Sequence, residues 1–205
     1  MVDNSNVKVV TGRVRLSFPN LFKARAAEEG QDAKFSVEIL IPKGDTKTVA
    51  KIRNAQNAAA NSEKGRKALG DAIPTWGAEK FPHKKFSDTL RDGDDEDEQD
   101  GRPERAGHWF MNARSAEQYK PQVVNKDLEP ILDQSEVYGG VYARVSLSAY
   151  AYSTQGNKGV SFGLNSVQIL GYGEPLGAAR EKAEEVFGDD FEDADAPADG
   201  DDNLI

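Results

Sequence analysis

Between Val137 and Tyr152 the chain alternates with a period of two. Tyr138, Gly140, Tyr142, Arg144, Ser146, Ser148, Tyr150 and Tyr152 fall on one face. Val137, Gly139, Val141, Ala143, Val145, Leu147, Ala149 and Ala151 fall on the other. Alternation over such a length marks a long strand with one face on a core. The outer face then presents Tyr142, Tyr150 and Tyr152 with Arg144 among them. Aromatic rings stack on any nucleobase, for about 1–3 kcal/mol per base. Arginine among the rings adds a phosphate contact or a cation–π contact. Trp109 and Trp76 complete the candidate stacking set. Tyrosines also suit strand exteriors through cross-strand pairing alone, so the rings by themselves leave two readings open.

The cations shift the balance toward a nucleic acid. Arg13 and Arg15 alternate near the N-terminus, and Lys34 opens a second apolar run. Lys84, Lys85, Arg114 and Lys158 stand near aromatic neighbours. With Arg144 these are the candidate phosphate ligands, because a flexible phosphate chain is followed by scattered cations rather than a tight helical stripe. Catalytic signatures fail beside them. Gly159-Val160-Ser161-Phe162-Gly163 matches the hydrolase G-x-S-x-G pattern. That elbow needs a strand-to-helix turn, whereas alternation here continues through Asn165. His83 and His108, with no cysteine anywhere, make a weak zinc set. The acidic run lacks a glutamate where a calcium loop needs its bidentate ligand, and no phosphate-binding glycine loop is present. No catalytic residue, metal or cofactor is expected. A metal-dependent nuclease built on Asp and Glu stays open as a minor alternative.

Charge is distributed unevenly. The 205 residues carry a formal net charge of −9. Eight acids and no bases lie between Gly188 and Ile205, and eight acids against Arg102 alone between Asp92 and Glu104. With those two blocks set aside, the rest holds 25 basic and 19 acidic residues, a net +6. Fields act locally over about a Debye length, roughly 8 Å at physiological salt, so a basic body with separable acidic blocks remains compatible with a polyanionic ligand. The absence of cysteine and of an apolar run of membrane-spanning length points to a reducing, cytoplasmic setting and no membrane.

The elements that must position these groups follow from periodicity. Val7 to Phe18 reads as a strand with Val14, Leu16 and Phe18 inward, ended by Pro19-Asn20. Ala33 to Ile41 is a second, with Phe35, Val37, Ile39 and Ile41 on one face. Asp45 caps a helix reaching about Leu69, its thin apolar face (Val49, Ile52, Ala59, Ala60) suited to the outside of a sheet or barrel, its last turns weakened by Gly65. An insertion at about 70–107 holds Trp76, Phe81 and Phe86 and has a mobile acidic second half. Short strands follow at His108 to Arg114 and near Lys120 to Asn125. Ser153 to Asn157 turns the long strand into a partner at Lys158 to Tyr172, whose inward set shifts through a bulge before Val167 and Ile169. Glu174 to Phe187 is a short helix. The chain is therefore mainly β: an OB-fold-like Greek-key barrel over 1–187 with one main helix, then a disordered acidic tail at 188–205. Asp201, Asp202, Asn203, Leu204 and Ile205 end that tail, and an acidic run closed by aliphatic residues suits capture in a basic-rimmed pocket of a partner.

Five segments carry a family resemblance: Arg15-Leu16-Ser17-Phe18-Pro19-Asn20-Leu21-Phe22, Lys34-Phe35-Ser36-Val37, Tyr138-Gly139-Gly140, Lys158-Gly159-Val160-Ser161-Phe162 and Gly173-Glu174-Pro175-Leu176-Gly177. Through them the chain resembles the single-stranded DNA-binding proteins of tailed phages, long filed as a domain of unknown function. The resemblance implies an OB fold and sequence-independent binding of single-stranded DNA during phage replication or recombination in the host cytoplasm, with replication and recombination proteins met through the tail. It differs from bacterial single-strand binders in ending Asn203-Leu204-Ile205 rather than in an aromatic residue. The oligomeric state stays open between monomer and dimer. The rival expectation is an acidic adaptor that grips a basic protein through tail and insertion.

Overall fold

A computed structural model of the chain describes residues 7–26, 28–70, 73, 75–77, 86–95, 101–154 and 156–177. The elements are β1 (Lys8–Val10), β2 (Val14–Arg25), β3 (Lys34–Pro42), α1 (Thr46–Asn61), α2 (Glu63–Leu69), β4 (Arg91–Asp92), β5 (His108–Ala116), β6 (Gln122–Val124), β7 (Tyr142–Thr154) and β8 (Asn157–Gly171). The strands form one sheet in the order β1-β7-β2-β3-β5-β8-β6, and β7 also pairs with β8. That extra pairing closes a barrel of five strands, β2-β3-β5-β8-β7. β5 and β8 run parallel at Arg114 and Gly163, and the other barrel neighbours are antiparallel.

The β7–β8 ribbon follows its sequence pattern. Val145, Leu147, Ala149, Val160, Phe162 and Leu164 are buried. The register shifts by one between Ser146 and Leu147, where they pair with Ser166 and Leu164, so Val167 and Ile169 also face inward. β7 begins at Tyr142 rather than Val137, because Gly140 takes φ +122° and the chain turns. A Cβ at Gly140 would lie 2.2 Å from the Glu174 carbonyl oxygen, so the approach of the 174–177 segment depends on glycine. Glu174 to Gly177 is non-helical, and the rest of the helix expected to Phe187 lies outside the described residues.

Three expectations change. The predicted first strand divides at Gly12, whose N–H donates to Thr48 Oγ1 at 2.8 Å and ties β1–β2 to the start of α1. β2 then runs on through Pro19-Asn20, because its pairing with β3 skips register between Ser17 and Asn20. This bulge inverts the face of Phe18: it is 58% exposed, while Ser17 is buried at 1% and Leu21 resumes the inward side. Phe18 sits at φ +46°, a left-handed conformation that costs a bulky residue about 1–3 kcal/mol. The expected single helix is two. Ser62, extended at ψ 161°, ends α1 and caps α2 by accepting from Gly65 N–H at 3.0 Å. Ile52, Ala55, Ala59, Ala60 and Leu69 join the cluster made by the inward faces of the strands, so both helices share the barrel core.

The insertion is more anchored than its composition suggests. Trp76, Phe86 and Leu90 enter the main core. On the barrel's outer side, Leu40 and Phe110 face each other across β3 and β5 and are fully buried. The guanidiniums of Arg91 and Arg105 lie 4.3 and 4.0 Å from the Phe110 ring centroid. Burying each apolar side chain stabilises by about 1.5–3 kcal/mol, which offsets ordering of an otherwise polar segment. Lys43 binds Asp92 at 2.6 Å and Asp94 at 2.5 Å. Hydrogen bonds from Lys43 and from Gly107 N–H hold the Asp94 carboxyl below its ordinary value, and the two carboxylates raise Lys43. Thus 91–95 and 101–107, expected to be mobile, are tied to the barrel.

Candidate nucleic-acid interface

The described part of the insertion covers the β3–β5 outer surface around Leu40 and Phe110. Toward the 26–33 loop, between β2 and β3, the described residues leave Lys34 and Arg114 exposed. A groove of about 250 Å³ lies there, lined by Arg25, Lys34 and Arg114, with Asn20, Ser36, Gln31 and Asp32. Lys34 and Arg25 pair across β2–β3, and Ser36 and Arg114 across β3–β5, so the antiparallel ladders bring the three cations together. Among the described residues no ion pair engages any of them. All three are exposed. Their positive field is therefore offered to solvent.

From Arg114 the surface continues over small residues. Ser36, Arg114, Gly163 and Ser148 lie side by side across β3, β5, β8 and β7. A Cβ at Gly163 would meet only the Ser148 carbonyl oxygen at 3.6 Å, an ordinary contact. The protein itself does not demand glycine there, and bare backbone leaves room for a ligand to approach. Beyond Ser148 on the same face stand Tyr150, 48% exposed, and Tyr152, half-buried. They flank the β7–β8 turn, where Gly156 takes φ +86° and Lys158 pairs with Ser153. A flat polar strip with cations at one end and rings at the other can hold a backbone and stack its bases.

The remaining candidates lie elsewhere or are engaged. Arg13 sits 4.0 Å and Arg15 5.7 Å from the Tyr142 ring centroid, a cluster on the β2–β7 side. Arg15 Nε donates to the Gly140 carbonyl at 3.1 Å, and its Nη2 to the Glu174 carbonyl. It holds two loops together as much as it offers charge. Arg144 is exposed, with Nε 3.4 Å from the Thr11 carbonyl. Trp109 packs against the core with Lys43 5.5 Å from its ring centroid, at the opposite end of β5 from Arg114. Trp76 is a correction: it is 2% exposed and meets Phe86 edge-on at 6.2 Å, so burial withdraws it from the stacking set. Lys84, Lys85 and the tail residues Asp201 to Ile205 lie outside the described residues.

Sequence reasoning missed Phe18 and Arg25. The bulge hid Phe18, because simple alternation placed it inside. Arg25 lay beyond the expected end of its strand. Both stand on the outer face of β2, and no periodic signal short of the register shift itself marks them.

A closed five-strand barrel whose third and fifth strands are parallel defines an OB fold, the class that takes oligonucleotides and oligosaccharides on its second- and third-strand face and adjoining loops. In this chain those strands are β3 and β5. Within that class the chain belongs to the family of the Enterobacter phage Enc34 ssDNA-binding protein, whose family model matches residues 7–197. A curated relative, the putative protein p50 of Acyrthosiphon pisum secondary endosymbiont phage 1, is 29% identical over 185 residues, 89% of this chain and 94% of its own. The Enc34 protein solved in complex with ssDNA superposes with a TM-score of 0.64 at 24% identity, covering 86% of this chain and 96% of that one. The single-stranded DNA-binding protein gp2.5 of bacteriophage T7 superposes at 0.55 with 15% identity, over 93% and 98% of the two chains.

Proposed function

We infer that the chain binds single-stranded DNA without regard to sequence and coats exposed strands during phage replication or recombination in the host cytoplasm. One observation carries this reading: Arg25, Lys34 and Arg114, which form no ion pair among the described residues, line one groove on the β3–β5 face of an OB barrel. Membership in the Enc34 family and the ssDNA complex of that relative support it. The groove follows phosphates, the small-residue strip admits the chain, and Tyr150 and Tyr152 stack bases beside the β7–β8 turn. No step in this scheme transforms the DNA.

The acidic tail, 188–205, competes with weakly held nucleic acid for the cationic face and presents Asp201, Asp202, Asn203, Leu204 and Ile205 to partner proteins. The test is a titration of labelled oligo-dT and of a matched duplex, each at several salt concentrations, on the full chain and on a chain ending at Phe187. Binding should favour the single strand, with log affinity falling by about 0.7 per phosphate contact for each log unit of salt. The shortened chain should bind both ligands more tightly. Equal affinity for duplex and single strand, or a flat salt response, would overturn the reading. Unchanged affinity after truncation would remove the tail from it.

A further inference from the structure

We propose that Phe18 is a nucleobase platform and that Arg102 occupies the base's place upon it in the free protein. The proposal rests on the single-strand reading above and assigns a subsite within it. A bulge in β2 turns Phe18 out of the core, and the backbone holds it at φ +46° with 58% of its surface exposed. The left-handed backbone opposes folding, and the exposed ring returns little burial energy to offset it. Strain of this kind at an exposed aromatic needs a reason outside the packing of the fold.

The surroundings supply that reason. The Arg102 guanidinium lies 4.6 Å from the Phe18 ring centroid, parked on its π-face. Arg102 is held by Glu38, with Nη1 to Oε2 at 3.3 Å. Glu38 is 2% exposed and keeps a second cation, Arg105, at 2.7 Å. Arg102 can therefore leave without stranding a buried carboxylate. Beside the ring opens a hollow of about 500 Å³, lined by Arg15, Phe18, Arg102, Glu174 and Leu176 among others.

This hollow adjoins the cationic groove. Glu38 and Ser36 both face outward on β3, two residues and so about 7 Å apart. A strand whose phosphates lie along Arg25, Lys34 and Arg114 reaches Phe18 within a nucleotide or two. A base then takes the face that Arg102 vacates, and the guanidinium turns to the adjoining phosphate.

The experiment uses the full chain with oligo-dT carrying 5-iodouracil, irradiated and mapped by mass spectrometry, alongside affinities for unmodified oligo-dT across salt. A crosslink at Phe18 is expected. Phe18→Ala should weaken binding about 5- to 140-fold, the worth of one base–aromatic stack, with an unchanged salt slope, and Phe18→Tyr should restore it. Arg102→Gln should lower the slope by about 0.7. Phe18→Gly relieves the backbone, so its melting temperature should equal or exceed that of the parent while its binding falls.

If the parent chain does not bind oligo-dT, the single-strand reading fails first and takes this subsite with it. If the parent binds but Phe18→Ala binds equally well and no crosslink maps to Phe18, the subsite alone is wrong. A lowered melting temperature in Phe18→Gly would make the residue structural. A change in solution mass in Phe18→Ala would make it a contact between copies. Either result overturns the proposal.

Discussion

Replacing Arg25, Lys34 and Arg114 together by glutamine removes the three cations of the β3–β5 groove. Each is exposed and none has an ion-pair partner among the described residues, so the fold loses no charge pairing with them. If each cation neutralises one phosphate, the single-strand salt slope should flatten by about 0.7 per residue, or roughly 2 in all. Taking about 1 M salt as the point where the electrostatic contribution vanishes, one contact is worth about 3-fold in affinity at 0.2 M and about 8-fold at 50 mM. The triple variant should therefore bind oligo-dT about 30-fold more weakly at 0.2 M and about 500-fold at 50 mM, with the difference closing toward 1 M. Fluorescence anisotropy at four salt concentrations reads this directly, with circular dichroism as the check on folding. Asp32 lines the same groove with the opposite sign, and Asp32→Asn should strengthen binding about 3-fold at 0.2 M. A loss equal at every salt concentration would show that the three residues do not meet phosphates. No loss at all would move the interface off this face.

Tyr150→Ala combined with Tyr152→Ala should cost about 1–3 kcal/mol for each base they stack and leave the salt slope as it was; affinity unchanged in the same assay would remove both rings from the interface. Trp76→Ala should behave in the opposite way, lowering stability by about 3–5 kcal/mol as a buried aromatic does. Urea denaturation checks it, and a variant as stable as the parent but weak in binding would return Trp76 to the surface.

What the sequence revealed depended on whether the signal was periodic. The β7–β8 ribbon was legible down to its bulge, because Val160, Phe162 and Leu164 fall out of phase with Val167 and Ile169 and only an extra residue reconciles them. The bulge at Phe18-Pro19 left no such trace. Leu16, Phe18 and Leu21 are all apolar, and both in-phase and shifted readings bury something plausible. The helix break fell at Ser62 because a serine can cap as well as occupy a helix. Trp76, Phe86 and Leu90 lie in a segment without period, where composition says polar loop and only tertiary contact says core. Of the candidate cations, Lys34 and Arg114 converge because the β3–β5 ladder pairs Ser36 with Arg114, 78 residues further along the chain, a pairing that sequence does not print.

The same ladder explains how a chain of net charge −9 can present a cationic face. Several of its acids in the described region are engaged by local partners: Glu38 by Arg102 and Arg105, Asp88 by Arg53, and Asp92 and Asp94 by Lys43. These pairs are short-range dipoles, and beyond a Debye length of about 8 Å they contribute little to the potential that an approaching strand meets. Arg25, Lys34 and Arg114 have no such partners among the described residues and share one groove, so their fields add. Net charge therefore governs how the whole molecule is repelled at long range, while the arrangement of unpaired cations governs what it holds on contact. The acidic residues beyond Gly188 enter at the first of these ranges, which is why they suit a competitor for the groove better than a component of it.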